Sequence, residues 1–384
     1  MESGTDIVDR VRGVLPLLRE HALRAERERR VTPEVVSALT DAGIYRMNVP
    51  RRYGGYQTPL RTQVDALGEI AAACGSAGFM ALLQAGCSFI AALFPDEAQD
   101  EIFASPDVRV SGTLIPDATA VAQEGGGYLV NGTSGFATGC QDADWHLLTV
   151  RAGAEPLWTA IPMAELEVLD DWHVSGLAGS GSNSVVARDV FVPAHRVLPV
   201  GPLLGGSFPS KTNAADPFYG MPVLLLFCAW AAPEALGLAR AALAEFTARM
   251  TQRGITYTFY ERQNEAAVTH LQVAEAALKL NCAELLAGEM VELIESKAAT
   301  GDPYTQLERA RIRGQGGYLT RLCKEAVDLI GSASGASSLR EEVPIQRIIR
   351  DVHALSLHSF INPATNLEVY GRVLSGLDPG TPFL

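Results

Sequence analysis

The sequence predicts an α+β chain, mainly α, in three segments: helical, then β, then a helical bundle. Three observations predict it. Ala and Leu are abundant while aromatics are only 7%. Apolar residues recur every three or four positions in both outer parts, but every second position in a central stretch. A Gly-, Pro- and Ser-rich linker, residues 201–216, marks the return to helical periodicity. These place the boundaries at 1–105, 106–205 and 206–384, consistent with two or three domains at ~100–200 residues each.

Taken in order, Val8–Arg30 carries Val11, Val14, Leu15, Leu18 and Leu23 at helical spacing. Thr32-Pro33 gives an N-cap with proline in the first turn of a helix over Pro33–Ala42, stopped by Gly43. Small residues in Ala71–Ala92 suit close helix packing. In the centre, Tyr128–Val130, Asn131-Gly132 and Thr133–Thr138 read as a β-hairpin with a type I′ turn. Trp145–Val150, Leu157–Ile161, Val185–Val192 and Val197–Val200 read as further strands. Beyond the linker, helices are expected over Leu224–Gln252, Leu271–Thr300, Thr305–Ile330 and Ile345–Tyr370, with Gly331–Gly335 interrupting the last two.

The formal charge is −13, from 31 basic and 44 acidic residues. Residues 101–205 alone hold 12 acidic and 4 basic groups. An acidic surface argues against nucleic acid and against anionic lipid as partners. The apolar run Met221–Leu243 is broken by Pro222, Pro233, Glu234 and Arg240, and reads as a buried helix instead of a membrane span. Six widely spaced cysteines without a CxxC pair, and a polar amino-terminal stretch Met1–Arg10, point to a reducing cytoplasm.

Common catalytic signatures are missing: there is no GxSxG, HExxH or P-loop. Gly179–Ser184 is superficially like a dinucleotide loop, but a strand follows it where a Rossmann fold needs a helix. It reads either as a Gly/Ser turn or as a loop offering N–H groups and hydroxyls to a phosphate. No histidine pair has i,i+4 spacing, so a helical metal site is not expected. Projected on a helix from Pro344, His358 falls roughly 120° from the apolar face, at 100° per residue. It reads as solvated or as part of a polar stripe lining a cleft.

Arg30–Gly55, Val130–Gly139, Val190–Pro193 and Arg350-Asp351 together resemble the acyl-CoA dehydrogenases over the whole chain. The resemblance implies a helical domain, a β-barrel or sandwich and a four-helix bundle, with a flavin between the last two, usually in a homotetramer. The dehydrogenases of that family need a carboxylate base. Its usual position corresponds to Ser359, and the alternative one to Leu225–Phe227, so neither offers a base.

Trp172–Leu177 with Gly179–Val186, and Arg347–Ala354 followed by His358, are similar to another branch of the fold: two-component flavin-dependent monooxygenases. This resemblance implies a separate flavin reductase, reduced flavin (FMNH2 or FADH2), O2, and a C4a-hydroperoxyflavin that hydroxylates carbon or nitrogen of a small molecule, with natural-product biosynthesis within the branch's range. It implies His358 as the active-site histidine and Thr138 as the hydroxyl near flavin N5. Flavin contacts are implied for Thr113, Phe136, Thr138, Gly139, Trp172, Gly181, Ser182, Ser184 and Arg262. The second histidine of phenol hydroxylases has no counterpart near Gly86-Cys87, and Phe79 stands where a Trp is usual, which implies a diverged substrate pocket. Two other readings remain open at this point: an acyl-CoA or acyl-carrier-protein dehydrogenase with a displaced base, and a non-catalytic homologue used for binding.

Overall fold

The computed structural model describes residues 4–384; the first three residues of the polar amino-terminal stretch lie outside the described residues. Five helices come first: α1 (Gly4–Glu28), α2 (Pro33–Asp41), α3 (Leu60–Ala73), α4 (Gly75–Ala91) and α5 (Asp96–Ile102). Then come β1 (Val110–Ala122), β2 (Tyr128–Ser134), β3 (Trp145–Ala152), β4 (Glu155–Pro162), β5 (Glu167–Val168), β6 (Val185–Val192) and β7 (Val197–Pro199). The short α6 (Val200–Leu204) leads into α7 (Val223–Arg249), α8 (Ala267–Thr300), α9 (Gln306–Ser334), α10 (Pro344–Leu355) and α11 (Pro363–Leu374).

The strands form one sheet in the order β5-β6-β2-β1-β3-β4-β7. All neighbours are antiparallel except β1 and β3. Successive side chains of a strand point to opposite faces. Leu147 therefore joins the large core built with the helices, while Leu148 joins a second apolar cluster with Val130, Val150 and Val185.

Asn131-Gly132 is not a hairpin turn. The β1–β2 turn lies at 123–127, where Gln123 N donates to Gly127 O at 3.0 Å. β2 runs straight through Asn131-Gly132, and its register with β6 shifts between Val130 and Gly132. Gly132 has φ +143°, so the glycine makes a β-bulge. The Asn131 side chain ties that bulge to Asp189, accepting from its backbone N–H at 2.8 Å. Asn-Gly thus supplies the positive φ that it signals, but within a strand. β2 ends at Ser134, so Thr138 lies in a turn and not on a strand.

The last predicted helix is also corrected. α10 stops at Leu355, and a turn of residues 356–362 separates it from α11. Pro363 follows the Asn362 cap, whose Oδ1 accepts from Ala364 N at 3.1 Å. Proline disfavours helical backbone at the residue before it, which is why the chain must restart here. Gly331–Gly335 interrupts less than expected, because α9 continues to Ser334.

α7, α8, α9 and α11 pack together as the bundle. α7 is apolar and long enough to cross a bilayer by composition, yet 94% of its most apolar window is buried inside the protein. Its Trp230 is fully buried and donates through Nε1 to Gln63 Oε1 at 2.8 Å, which fastens the bundle to α3.

Candidate active site

Between the sheet and the carboxyl-terminal helices lies a cavity of about 890 Å³. It gathers six of the expected residues: Thr113, Phe136, Thr138, Trp172, Ser182 and His358.

The sheet-side wall carries hydroxyls. Thr138 Oγ1 and Ser182 Oγ are 2.8 Å apart, and Ser180 Oγ is 2.8 Å from the same Ser182 oxygen. Ser134 Oγ donates to Thr113 Oγ1 at 2.9 Å. All five hydroxyl residues are buried. Each hydroxyl can donate once and accept twice, so this chain keeps capacity for a ligand. Phe136 and Trp172 meet edge to face, with centroids 5.9 Å apart. Phe136 holds φ +62° and is 67% exposed, an uncommon combination for a bulky side chain. Trp172 is fixed at both ends, its N–H bonded to Asn183 Oδ1 and its Nε1–H to Leu177 O.

The helix-side wall is largely apolar around His358, and Lys324, Arg350 and His353 also line it, each already bonded to another side chain. Phe227 of α7 stacks on Phe360, with centroids 5.0 Å apart and planes 7° apart. The His358 ring lies 5.9 Å from Phe79 and 5.8 Å from Phe360. Because α10 has already ended, His358 is not on the solvated stripe that helical projection assigns it. The turn carries the ring into the cavity, half-buried, with its remaining exposure toward the cavity space. Phe360 N donates to His358 Nδ1 at 3.4 Å. Burial pushes the His358 pKa down to about 4, so the ring is neutral at neutral pH.

A buried carboxylate joins the walls. Leu177 N donates to Asp351 Oδ1 at 2.6 Å. Gly176 lies so close to α10 that a Cβ there would sit 2.2 Å from Arg350 O, so only glycine fits. Burial raises the Asp351 pKa to about 6, against the lowering effects of the Leu177 N–H and Arg347. Glu234 faces the same α4 turn, with neither oxygen hydrogen-bonded. Burial first, then the nearby Asp351 charge, pushes its pKa well up. The sequence flagged Glu234 only as a break in an apolar run. Its sole charge amid Leu225–Leu238 was the available signal.

Four expected residues lie off the cavity lining. Gly139 packs on α4, where Gln84 Nε2 donates to its carbonyl at 3.2 Å. Gly181 has φ +58° and sits beside Arg29 and Gln141. Ser184 N donates to Asp171 Oδ1 at 2.9 Å. Arg262 is exposed on the loop before α8 and pairs with Glu265. The Gly179–Ser184 loop is packed inward: a Cβ on Gly179 would stand 3.0 Å from the Ala25 backbone. The sequence missed Phe227 and Phe360 as a stacked wall, and Asp351 as the anchor of Leu177.

No carboxylate lines the cavity among the described residues. Ser359, and Phe227 from the Leu225–Phe227 stretch, the places where the resemblance would put a dehydrogenase base, both line it and neither is an acid. Cys87 also lines it, but burial pushes its thiol pKa up to about 12, which leaves it unreactive.

Residues 6–106 match the acyl-CoA dehydrogenase N-terminal domain, and residues 229–363 the acyl-CoA dehydrogenase C-terminal domain. The chain is similar to the pigment production hydroxylase of a Rhodococcus species, 30% identical with 99% of each chain covered. It is similar to the oxygenase component of the FADH2-dependent resorcinol hydroxylase of a Rhizobium species, 31% identical over 97% of this chain and 95% of that one. Among solved structures, XiaF from a Streptomyces species, in complex with FADH2 and glycerol, superposes with a TM-score of 0.93. It is 29% identical and covers 99% of this chain and 98% of its own.

Proposed function

The chain belongs to the acyl-CoA dehydrogenase family, in its branch of flavin-dependent monooxygenase oxygenase components, and from that premise we propose what its residues do. It is an oxidoreductase that uses reduced flavin and O2, with a small-molecule substrate and a separate reductase. The observation that carries this reading is the cavity itself: hydroxyls on one wall, a neutral imidazole on the other, and no carboxylate base.

The residues present suit a flavin head. The cavity's size and its largely apolar walls accept a flat ring system, and Thr138 and Ser182 offer a polar edge. When bound, reduced flavin supplies two electrons, so that one atom of O2 enters the substrate and the other leaves as water. Trp172, locked at both ends, bounds the ring pocket. The Thr138 hydroxyl, backed by Ser182 and Ser180, holds a hydrogen bond at the polar ring edge. Leu114 and Ile115, in the irregular part of β1, and Leu357 add apolar surface to the lining. His358 presents Nε2 to the substrate. Thr113 and Phe136 complete the flavin wall, and Gly139, Gly181 and Ser184 shape the backbone that positions Thr138 and Ser182.

Arg262 lies off this chain's cavity lining and would serve a flavin from a neighbouring copy, as a homotetramer would allow. Tyr257 and Phe259 beside it are fully exposed, and Leu271, Leu278 and Leu285, at seven-residue spacing on α8, are largely exposed. A cytoplasmic setting, where flavin reductases are fed and the six unpaired cysteines stay reduced, suits the same reading. To test it, photoreduced FMN or FAD is bound anaerobically, oxygen is mixed in, and flavin absorbance is followed. A flavin–oxygen adduct that outlives its free-solution counterpart supports the reading. Bound oxidised flavin that an acyl thioester bleaches without oxygen would replace it with a dehydrogenase.

A further inference from the structure

Two carboxyl groups that line no cavity sit behind the Trp172–Leu177 segment. Asp351 on α10 and Glu234 on α7 are 3% and 1% exposed. Both face the first turn of α4. The position that a Cβ on Gly75 would take lies 3.2 Å from Asp351 Oδ2 and 3.3 Å from Glu234 Oε1, so no side chain stands between them there. Asp351 Oδ1 accepts from Leu177 N at 2.6 Å, whereas neither Glu234 oxygen receives a hydrogen bond. The groups around the pair are unequal. Arg347 and Arg350 of α10 favour a charge on Asp351, and Glu26 of α1 opposes it. The Cys74 thiol, where α3 meets α4, is buried and pushed up to about 11. Glu234 has burial and the Asp351 charge against its own ionisation. Two carboxylates out of water, with no cation bonded to either, do not readily both ionise.

What Asp351 holds is a strained turn. Leu177 has φ +52°, left-handed backbone that a leucine disfavours. Its N–H goes to Asp351, and its carbonyl accepts from Trp172 Nε1 at 3.3 Å. Arg350 holds Ser175 O from the same helix. Trp172 in turn meets Phe136, itself at φ +62°, edge to face on the cavity. A charged acceptor binds an N–H about twice as strongly as a neutral one. The charge on Asp351 therefore governs how firmly Leu177, and with it the Trp172 ring, is set.

We propose that Glu234 is a positioning residue for the cavity: it keeps the proton of the buried acid pair and turns it toward Asp351 Oδ2, so that Asp351 stays charged, grips Leu177 and fixes Trp172. This rests on the monooxygenase reading for what Trp172 does. A buried acid without a partner is costly, and this role gives it one. A donor on the Oδ2 side favours the charged form of Asp351, as the Leu177 N–H does on the Oδ1 side. The two oxygens of Asp351 thus serve two tasks, one on the cavity wall and one in the helical core.

The test reads Trp172 in the full-length protein labelled with 5-fluorotryptophan, its fluorine-19 resonance identified by its loss in Trp172→Phe. As pH falls, the resonance should shift with a midpoint near 6, where Asp351 takes a proton. Asp351→Asn keeps an acceptor but cannot titrate, and should abolish the step. His173, next to Trp172, is intact in that variant, so a step that survives there belongs to such a neighbour and overturns the inference. Glu234→Leu keeps most of the bulk without an O–H and should raise the midpoint by about half a unit or more, roughly a threefold change in proton affinity. Glu234→Gln keeps a donor and should leave the midpoint in place. An unmoved midpoint in Glu234→Leu, or equal shifts in both variants, overturns the inference. Infrared difference spectra supply a check that needs no apolar variant. At neutral pH the unaltered protein should show a protonated carboxyl band that Glu234→Gln lacks; no such band overturns the inference. In the reaction of the reduced FMN complex with oxygen at pH 6.5, Glu234→Leu should shorten the life of the flavin–oxygen adduct several-fold and Glu234→Gln should not. If the unaltered protein forms no adduct, the monooxygenase reading fails while the Trp172 result stands. If the adduct forms and both variants match the unaltered protein, the inference alone fails.

Discussion

The two walls of the cavity are built by opposite means. The sheet-side wall is polar and rigid: Thr138, Ser182 and Ser180 bond to one another, and Trp172 is tied at both ends. The helix-side wall is largely apolar and comes from several separate elements, through Phe79, Phe227 and the 356–362 turn, with the His358 ring among these aromatics and Lys324, Arg350 and His353 already paired elsewhere. Hydrogen-bonded hydroxyls suit a ligand whose polar edge never changes. Apolar packing around one donor suits a site whose ligand varies from relative to relative. On the proposed reading, the difference teaches that cofactor recognition and substrate recognition would rest on different physics.

The largest test of that division is His358→Ala. Substrate hydroxylation should fall about 100-fold, the scale for loss of a well-placed catalytic hydrogen bond, while affinity for reduced flavin changes little. Steady-state rates and an anaerobic flavin titration measure both. A parallel loss of flavin affinity would break the comparison.

Next comes the strut between the walls. Asp351→Ala leaves the buried Leu177 N–H without its charged acceptor. It should cost about 2–3 kcal/mol in denaturant unfolding, and Asp351→Asn, which keeps an acceptor oxygen, clearly less. Equal costs would show that Asp351 only fills space.

Thr138→Val removes one hydroxyl and keeps the shape. Stability should change by about 1 kcal/mol or less. Uncoupled hydrogen peroxide should rise several-fold, read by a peroxide assay against product formed. An unchanged peroxide yield would move the polar edge away from Thr138.

The smallest effect concerns Glu234. Its pKa is raised in the folded protein, so the fold keeps a proton that the unfolded chain releases above the ordinary Glu range. Stability from this group is therefore lost as pH rises through and beyond that range. Asp351, raised to about 6, adds to the same trend between the ordinary Asp value and 6. Glu234→Gln has no proton to lose, so its melting temperature should fall less between pH 5 and pH 8 than that of the unaltered protein. Parallel pH profiles would mean that Glu234 ionises freely.

Legibility in the sequence followed the same divide. Local patterns revealed the order of helices and strands and offered the hydroxyls of Gly179–Ser184 as one reading of that loop, because turns and periodicity are short-range properties; Thr138 came only from the resemblance to the monooxygenase branch. The same short-range logic misread Asn131-Gly132, whose positive φ serves a bulge closed by Asp189, 58 residues away. His358 illustrates the complementary limit. Helical projection is valid only while the helix lasts, and α10 ends three residues before it. Resemblance to the monooxygenase branch named His358 where periodicity pointed to solvent. The Asp351–Leu177 bond spans 174 residues and the Phe227–Phe360 stack joins two distant segments, so neither leaves a periodic trace. Glu234 did leave one, as an acid inside an otherwise apolar helix, but its meaning depends on Gly75 and Gly78 packing against it.

The most direct measurement is rapid-mixing absorbance of the protein–reduced flavin complex with oxygen, run in parallel on the unaltered protein, Thr138→Val and His358→Ala. The account predicts a long-lived oxygenated flavin in the unaltered protein and in His358→Ala, and decay at least several-fold faster in Thr138→Val. Substrate should accelerate turnover only where His358 is present. If no such species forms in the unaltered protein, or if His358→Ala shortens its life as much as Thr138→Val does, the separation of a cofactor wall from a substrate wall is contradicted.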